Sequence, residues 1–240
     1  MTDTNIIETE CVDVDLSQIM QARAAMYGLL ARVYIKEVDE QFLAELKAMA
    51  YPQNSDNPQI NNAFKTIYHF MRHLREDSLD QLSIDYNRTF IGSGILNGNA
   101  AFPYESVYTS EHALVMQEAR DEVLALYKSE GVTKRAEWTD PEDHISLELE
   151  FMQTLAQRTY DALASDDPSA DDQARALIVT QYRFLSDHLL RWVSRFLLDV
   201  TRFCTTSFYE GFAQLTDAYL TDDKLLLEDI IEASAISVEE

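Results

Sequence analysis

Only six glycines and five prolines punctuate the 240 residues. Three of those glycines, Gly92, Gly94 and Gly98, fall within seven residues of one another. The rest of the chain therefore runs long distances without a breaker, which favours helices over a turn-rich β fold. The apolar residues agree. Leu16, Ile19, Met20, Tyr27, Leu30 and Tyr34 recur at helical spacing, and no stretch alternates with the period of two that a half-buried strand needs. Further helices are expected from Asp39, over Ile60–Leu74, from an N-cap at Ser78 through Phe90, over about 110–130 with Gly131 as the C′ residue, and from Asp140 as N-cap with Pro141 in first position. Apolar-rich helices over about 173–186, 187–203, 206–220 and 223–233 complete the chain. The pattern predicts one all-α bundle of about nine to ten helices spanning residues 16–233. Polar tails at 1–15 and 234–240 flank it, and the segment SDDPSADD at 165–172 is a linker and a possible hinge.

Hydrophobic residues make up 46% of the chain, enough for a sizeable core. The charge balance is 42 acids against 19 bases, net −23. Five acids lie in residues 1–15 and seven in 221–240; the remaining body still holds 30 acids and 18 bases. Such a field repels phosphates and excludes nucleic acid as a partner, while a basic peptide or basic protein patch is favoured. The N-terminus, MTDTNIIETE, is acidic and lacks an apolar run, so no signal peptide is expected. No stretch is long and apolar enough to span a membrane. Two isolated cysteines, Cys11 and Cys204, suit a reducing compartment. Together these features place the chain in the cytoplasm.

Three groups of residues could carry chemistry. The cluster Asp140-Pro141-Glu142-Asp143-His144 leads to Glu148 and Glu150. His144 and Glu148 share a helix face, but acids here also answer the free N–H groups of a first helical turn. The Glu-x-x-His pairs of a di-iron bundle and an HExxH motif are both missing, so no metal is expected. His69 and His73, four apart, read as an exposed helix face. The glycine-rich run GSGILNGNAAFP at 92–103 is a long irregular loop with no Gly-Lys-Ser/Thr ending, and it specifies no nucleotide site. Directly after it come Pro103-Tyr104-Glu105-Ser106-Val107-Tyr108. Tyr104 and Tyr108 either wall a pocket for an apolar peptide or pin the loop to the core; spacing leaves both open. No nucleophile with an identifiable base stands out, and no catalytic residue is expected.

Three landmarks, in order, are Tyr86-Asn87-Arg88-Thr89-Phe90, Pro103-Tyr104-Glu105-Ser106-Val107-Tyr108, and Asp140-Pro141-Glu142-Asp143-His144-Ile145 running into Glu148-Leu149-Glu150-Phe151-Met152. With Trp192-Val193, Phe196 and Phe208-Tyr209 they make the chain, over about residues 18–220, resemble the TorD/DmsD family of redox-enzyme maturation chaperones. Thr89 departs from the leucine usual there. The resemblance implies a family-specific helical fold and no enzymatic activity. It implies binding of the twin-arginine leader and apo form of a molybdopterin oxidoreductase until cofactor insertion, by a monomer or a helix-swapped dimer. It implies no cofactor beyond weak guanine-nucleotide binding. Leader binding then falls on Tyr86, Phe90, Pro103, Tyr104, Tyr108, Asp143 and His144, with Glu105, Ser106 and Glu142 beside them. In this reading the leader's apolar middle packs on the aromatic rings, and Asp143, with Glu142 or Glu105, pairs its arginines. The alternatives are an assembly chaperone of the nitrate-reductase type, which binds a non-exported subunit, a metal- or nucleotide-dependent enzyme, and a structural scaffold.

Overall fold

The computed structural model describes residues 15–52, 54–94, 99–234 and 236. Of the expected tails at 1–15 and 234–240, residues 1–14, 235 and 237–240 lie outside the described residues, as does Gly98 with the middle of the glycine-rich loop. Ten α-helices and no strand are found among the described residues: α1 Leu16–Ile35, α2 Glu40–Ala48, α3 Pro58–Arg72, α4 Ser78–Tyr86, α5 Glu105–Thr109, α6 Glu118–Ser129, α7 Ile145–Leu163, α8 Ala170–Phe184, α9 Leu190–Phe203 and α10 Ser207–Ala233. The all-α bundle expected from the sequence is therefore what the chain forms.

Helix starts follow from local chemistry. Asp15, Asp39 and Asn57 cap α1, α2 and α3, each accepting a backbone N–H with its side-chain oxygen. The end of α6 is also as expected: Gly131 takes φ +64°, and Val132 N–H returns to the Tyr127 carbonyl at 2.7 Å. The start of α10 is capped from a distance. Asp85, fully buried on α4, accepts from the N–H groups of Thr205 and Thr206, each at 2.8 Å. A carboxylate there meets the positive end of the helix dipole.

Helix α1 lies along α7, which packs on α8; α10 packs on α3 and α9. The core is one continuous cluster that includes Met20, Tyr27, Phe151, Trp192, Phe196 and Phe212. On α10, a Cβ at Gly211 would stand 2.8 Å from Ile67 Cγ1 and 3.3 Å from the Ile67 backbone nitrogen, so only glycine lets α10 approach α3 this closely. No described helix is long and apolar enough to cross a membrane.

Four boundaries differ from the sequence expectation. The helix expected over 110–130 is broken. Residues 110–117 are irregular, and Ala113 and Met116 have positive φ. Hydroxyls divert the backbone there: Ser110 Oγ accepts from Leu114 N–H, and Ser106 Oγ from Gln117 N–H. Next, α7 begins at Ile145 rather than after Asp140. The chain at 143–145 is held extended against 103–105, through Glu105 N–H to Asp143 carbonyl at 3.0 Å and Ile145 N–H to Pro103 carbonyl at 2.9 Å. His144 is then the cap, its Nδ1 accepting from Ser146 N–H. Third, α8 starts at Ala170, inside the expected linker, and a π turn over Leu185–Leu189 joins it to α9. Last, the two helices expected over 206–220 and 223–233 are the single 27-residue α10.

Candidate functional site: a bridge over buried carboxyl groups

The short extended pairing between 103–105 and 143–145 places Tyr104 directly opposite His144. Two landmark motifs, forty residues apart in sequence, thus form one structural unit. The Tyr104 ring meets the His144 ring edge-on at 5.2 Å, and Trp138 meets His144 from another side at the same distance. Tyr104 is half-buried and in hydrogen-bonding contact with the exposed Asp140. Burial, reinforced by Asp140, pushes its phenol up to about 12. Burial alone holds His144 down at about 3, so the imidazole is neutral.

The first landmark supplies the base of this unit. Residues Asn87–Ile91 form a π turn after α4. It is tied to the glycine-rich loop by Ala101 N–H to the Thr89 carbonyl at 2.8 Å. Tyr86 and Phe90 are buried at 7% and 3% exposure, 5.0 Å apart, and they rest on Tyr209 and Phe196. Tyr86 donates to the Tyr34 carbonyl. These two rings support the surface rather than form it. Tyr108 is half-buried, stacks on Trp192 at 5.5 Å and donates to Asp199 at 3.2 Å, fastening α5 to α9.

The acids of the landmarks divide sharply. Glu142 is held by Arg120 at 2.5 Å and Lys134 at 2.9 Å. Burial opposes its charge, but these two cations outweigh burial and lower its pKa. Asp143 is fully buried, and its Oδ2 accepts from Ser106 N–H at 2.9 Å and from Ser106 Oγ at 2.5 Å. Its Oδ1 has no hydrogen-bond partner among the described residues. Glu105, also fully buried, meets His188 Nδ1 at 3.0 Å. Glu148 accepts from Trp192 Nε1 at 3.1 Å. Neither Glu105 Oε1 nor Glu148 Oε1 is offered an N–H or O–H by another described residue. Burial, then the nearby Glu105 and Asp143, raise Glu148 well above the usual carboxyl range. Pro103 and Ser106 are buried in the same unit.

The sequence reading thus brought Tyr104, Glu105, Ser106, Asp143 and His144 together correctly as neighbours. It missed His188, Trp192 and Asp140 as their partners. For His188 and Trp192 a signal existed: both are polar-tipped residues on the buried stripe of an otherwise apolar segment. No group of three or more metal-ligating side chains among the described residues is arranged to hold a metal ion. His69 and His73 are exposed on α3, ring to ring at 4.3 Å.

The described residues form a helical bundle with half-buried aromatic rings above buried acceptors, and show no reactive constellation among them. Residues 53–197 match the model of the nitrate reductase delta subunit family. The chain is 25% identical to the chaperone protein TorD of Vibrio cholerae serotype O1 (strain M66-2), over 91% of this chain and 97% of that one. It is also 25% identical to the chaperone protein TorD of Aliivibrio salmonicida (87% and 96%) and 26% identical to that of Shewanella oneidensis (90% and 95%). The chain belongs to this family, which is the TorD/DmsD group of the sequence expectation. It is a maturation chaperone for molybdenum-containing enzymes and not itself an enzyme.

Proposed function

We propose that this chaperone works in the cytoplasm and binds the twin-arginine leader, together with the apo form, of a molybdopterin oxidoreductase, holding it until cofactor insertion and export. One observation carries the reading. The Tyr104–His144 bridge sets a half-buried aromatic ring beside a buried carboxylate oxygen, Asp143 Oδ1, that lacks a donor among the described residues. An arginine fork supplies what such an acceptor needs.

The leader's weakly apolar middle packs on Tyr104 and Tyr108, with Tyr86 and Phe90 as their support. Its first arginine meets Asp140 at the exposed rim. Its second pairs with Asp143 Oδ1, the carboxylate oxygen that has no donor among the described residues. Glu142 is already committed to Arg120 and Lys134, so Asp140 takes the role that the sequence reading gave it. Partly exposed ion pairs contribute about 1 kcal/mol each at most, and a few buried side chains about 1.5–3 kcal/mol each before ordering costs. Micromolar binding remains, which suits a client that must be handed on. This reading invokes no cofactor and holds for a monomer or a helix-swapped dimer.

The family description favours a second reading, an assembly chaperone for a subunit that is not exported. Calorimetric titration with a leader peptide, and with both arginines changed to glutamine, separates the two. At least tenfold weaker binding without the arginines is expected; equal binding selects the second reading. Asp143→Asn should weaken binding of the intact leader and flatten its salt dependence. If neither changes, Asp143 does not pair the arginines.

A further inference from the structure

A cleft of about 540 Å³ opens between α6, α7 and the end of α8, bounded by residues that none of the landmark motifs contributes apart from Phe151. Its volume falls in the range of ligand-binding pockets, about 300–1,000 Å³. The floor is preformed. Phe184 is buried, stacks on His188 at 5.1 Å and meets Phe151 edge-on at 4.8 Å. His188 is held from behind by Glu105. The rim is acidic: Glu122 and Asp187 are exposed and Glu130 is half-buried. Arg183 also borders the cleft and is engaged with a partner of its own.

We propose that this cleft is a second docking site, separate from the aromatic surface, and that it takes a basic segment of a partner protein, with a cationic side chain at the rim and apolar neighbours on the floor. Charge decides the occupant. An anionic ligand would meet three rim carboxylates on a chain of net charge −23. A lysine or arginine can lay its apolar stem against the rings while its charged head stays among Glu122, Glu130 and Asp187.

The test uses the full chain and a synthetic amphipathic peptide of leucine and lysine, followed by heteronuclear NMR. Shift changes are expected at Ser129, Thr180 and His188, which border the cleft. Charge reversal of two exposed rim acids, Glu122→Lys with Asp187→Lys, should weaken binding about tenfold or more, since two attractions become repulsions. Acetylating the peptide's lysines should do the same. Ala125→Trp, which fills the cleft from its exposed wall and leaves every charge in place, should abolish the shifts. Tyr104→Ala should leave them unchanged, so the result does not depend on the leader reading. The proposal is overturned by shifts that map elsewhere, by equal affinity in the reversed or filled variants, or by no binding at all.

Discussion

Two groups of buried charge lie in this bundle, and they are built on opposite rules. At the centre, Arg23 of α1 forks onto Asp223 of α10 with bonds of 2.6 and 2.8 Å. Tyr27 donates to the same carboxylate at 2.6 Å. Arg23 also donates to Gln181 of α8 at 2.5 Å, and Gln181 donates in turn to Thr159 of α7. Four helices are pinned by one network. Burial disfavours the Arg23 charge, yet Asp223 outweighs burial and raises its pKa. Beneath the Tyr104–His144 bridge, by contrast, Glu105, Asp143 and Glu148 are fully buried together, and one oxygen of each lacks an N–H or O–H donor from the other described residues. A complete network holds helices in register. An incomplete one costs stability and leaves acceptors for something that arrives later.

The largest expected effect breaks the complete network. Asp223→Ala strands the Arg23 charge in the core and should cost about 3–5 kcal/mol in urea denaturation. Replacing both partners with apolar residues, Arg23→Met with Asp223→Leu, should recover most of that loss. A single variant as mild as a surface substitution would mean that water reaches Arg23 and that the network does not hold the bundle.

The second prediction addresses pH. Glu148 has a raised pKa in the folded chain, so the folded state keeps a proton that the unfolded state releases above about 4.5. Stability from this group is therefore intact below pH 4.5 and falls as pH rises, by up to about 1.4 kcal/mol per pH unit. His144 has the opposite sign. Its folded pKa is lowered to about 3 from 6.5, so its contribution is present above pH 6.5 and is lost as pH falls toward 3. Where both act, above about 4.5 and below 6.5, the two slopes oppose each other. Glu148→Gln, which keeps the shape and donor of the protonated acid, should remove this group's loss of stability as pH rises above about 4.5. His144→Asn should expose the Glu148 slope between 4.5 and 6.5. Unchanged profiles in both variants would show that the buried acids are hydrated and that the contrast with Arg23–Asp223 is false.

Much of this was legible in the sequence. Breaker scarcity and helical spacing gave the bundle, and Asp39 and Gly131 marked helix ends through local chemistry alone. The rings of Pro103–Tyr108 could be read as either a pocket wall or a pin to the core, and Asp143 and His144 were named as peptide contacts only through the family resemblance. What could not be read is what lies across the fold. Asp223 looked like one more acid in an acidic C-terminal stretch, and its partner is 200 residues away. The hint was Arg23 itself, which falls on the Met20–Ala24–Tyr27 stripe where a core residue belongs. The start of α7 was misplaced for a similar reason. Asp140-Pro141 is a sound local start signal, but pairing of 143–145 with 103–105 overrides it. Local rules fail where a long-range contact has a stronger claim on the same backbone.

The smallest effect calibrates the comparison. Arg135 and Glu150 form an ion pair at 3.2 Å, with Arg135 71% exposed. Burial raises the pKa of Glu150, and the attraction of Arg135 does not reverse it. The pair gains little because water screens it and two long side chains must be held still. Arg135→Ala should therefore cost under about 1 kcal/mol, and less still at high salt, in the same denaturation experiment. A loss approaching that of Asp223→Ala would mean that the sign of the neighbouring charge, rather than burial and completeness of hydrogen bonding, sets the worth of an ion pair in this chain. The distinction between its two buried groups would then have to be drawn on that basis instead.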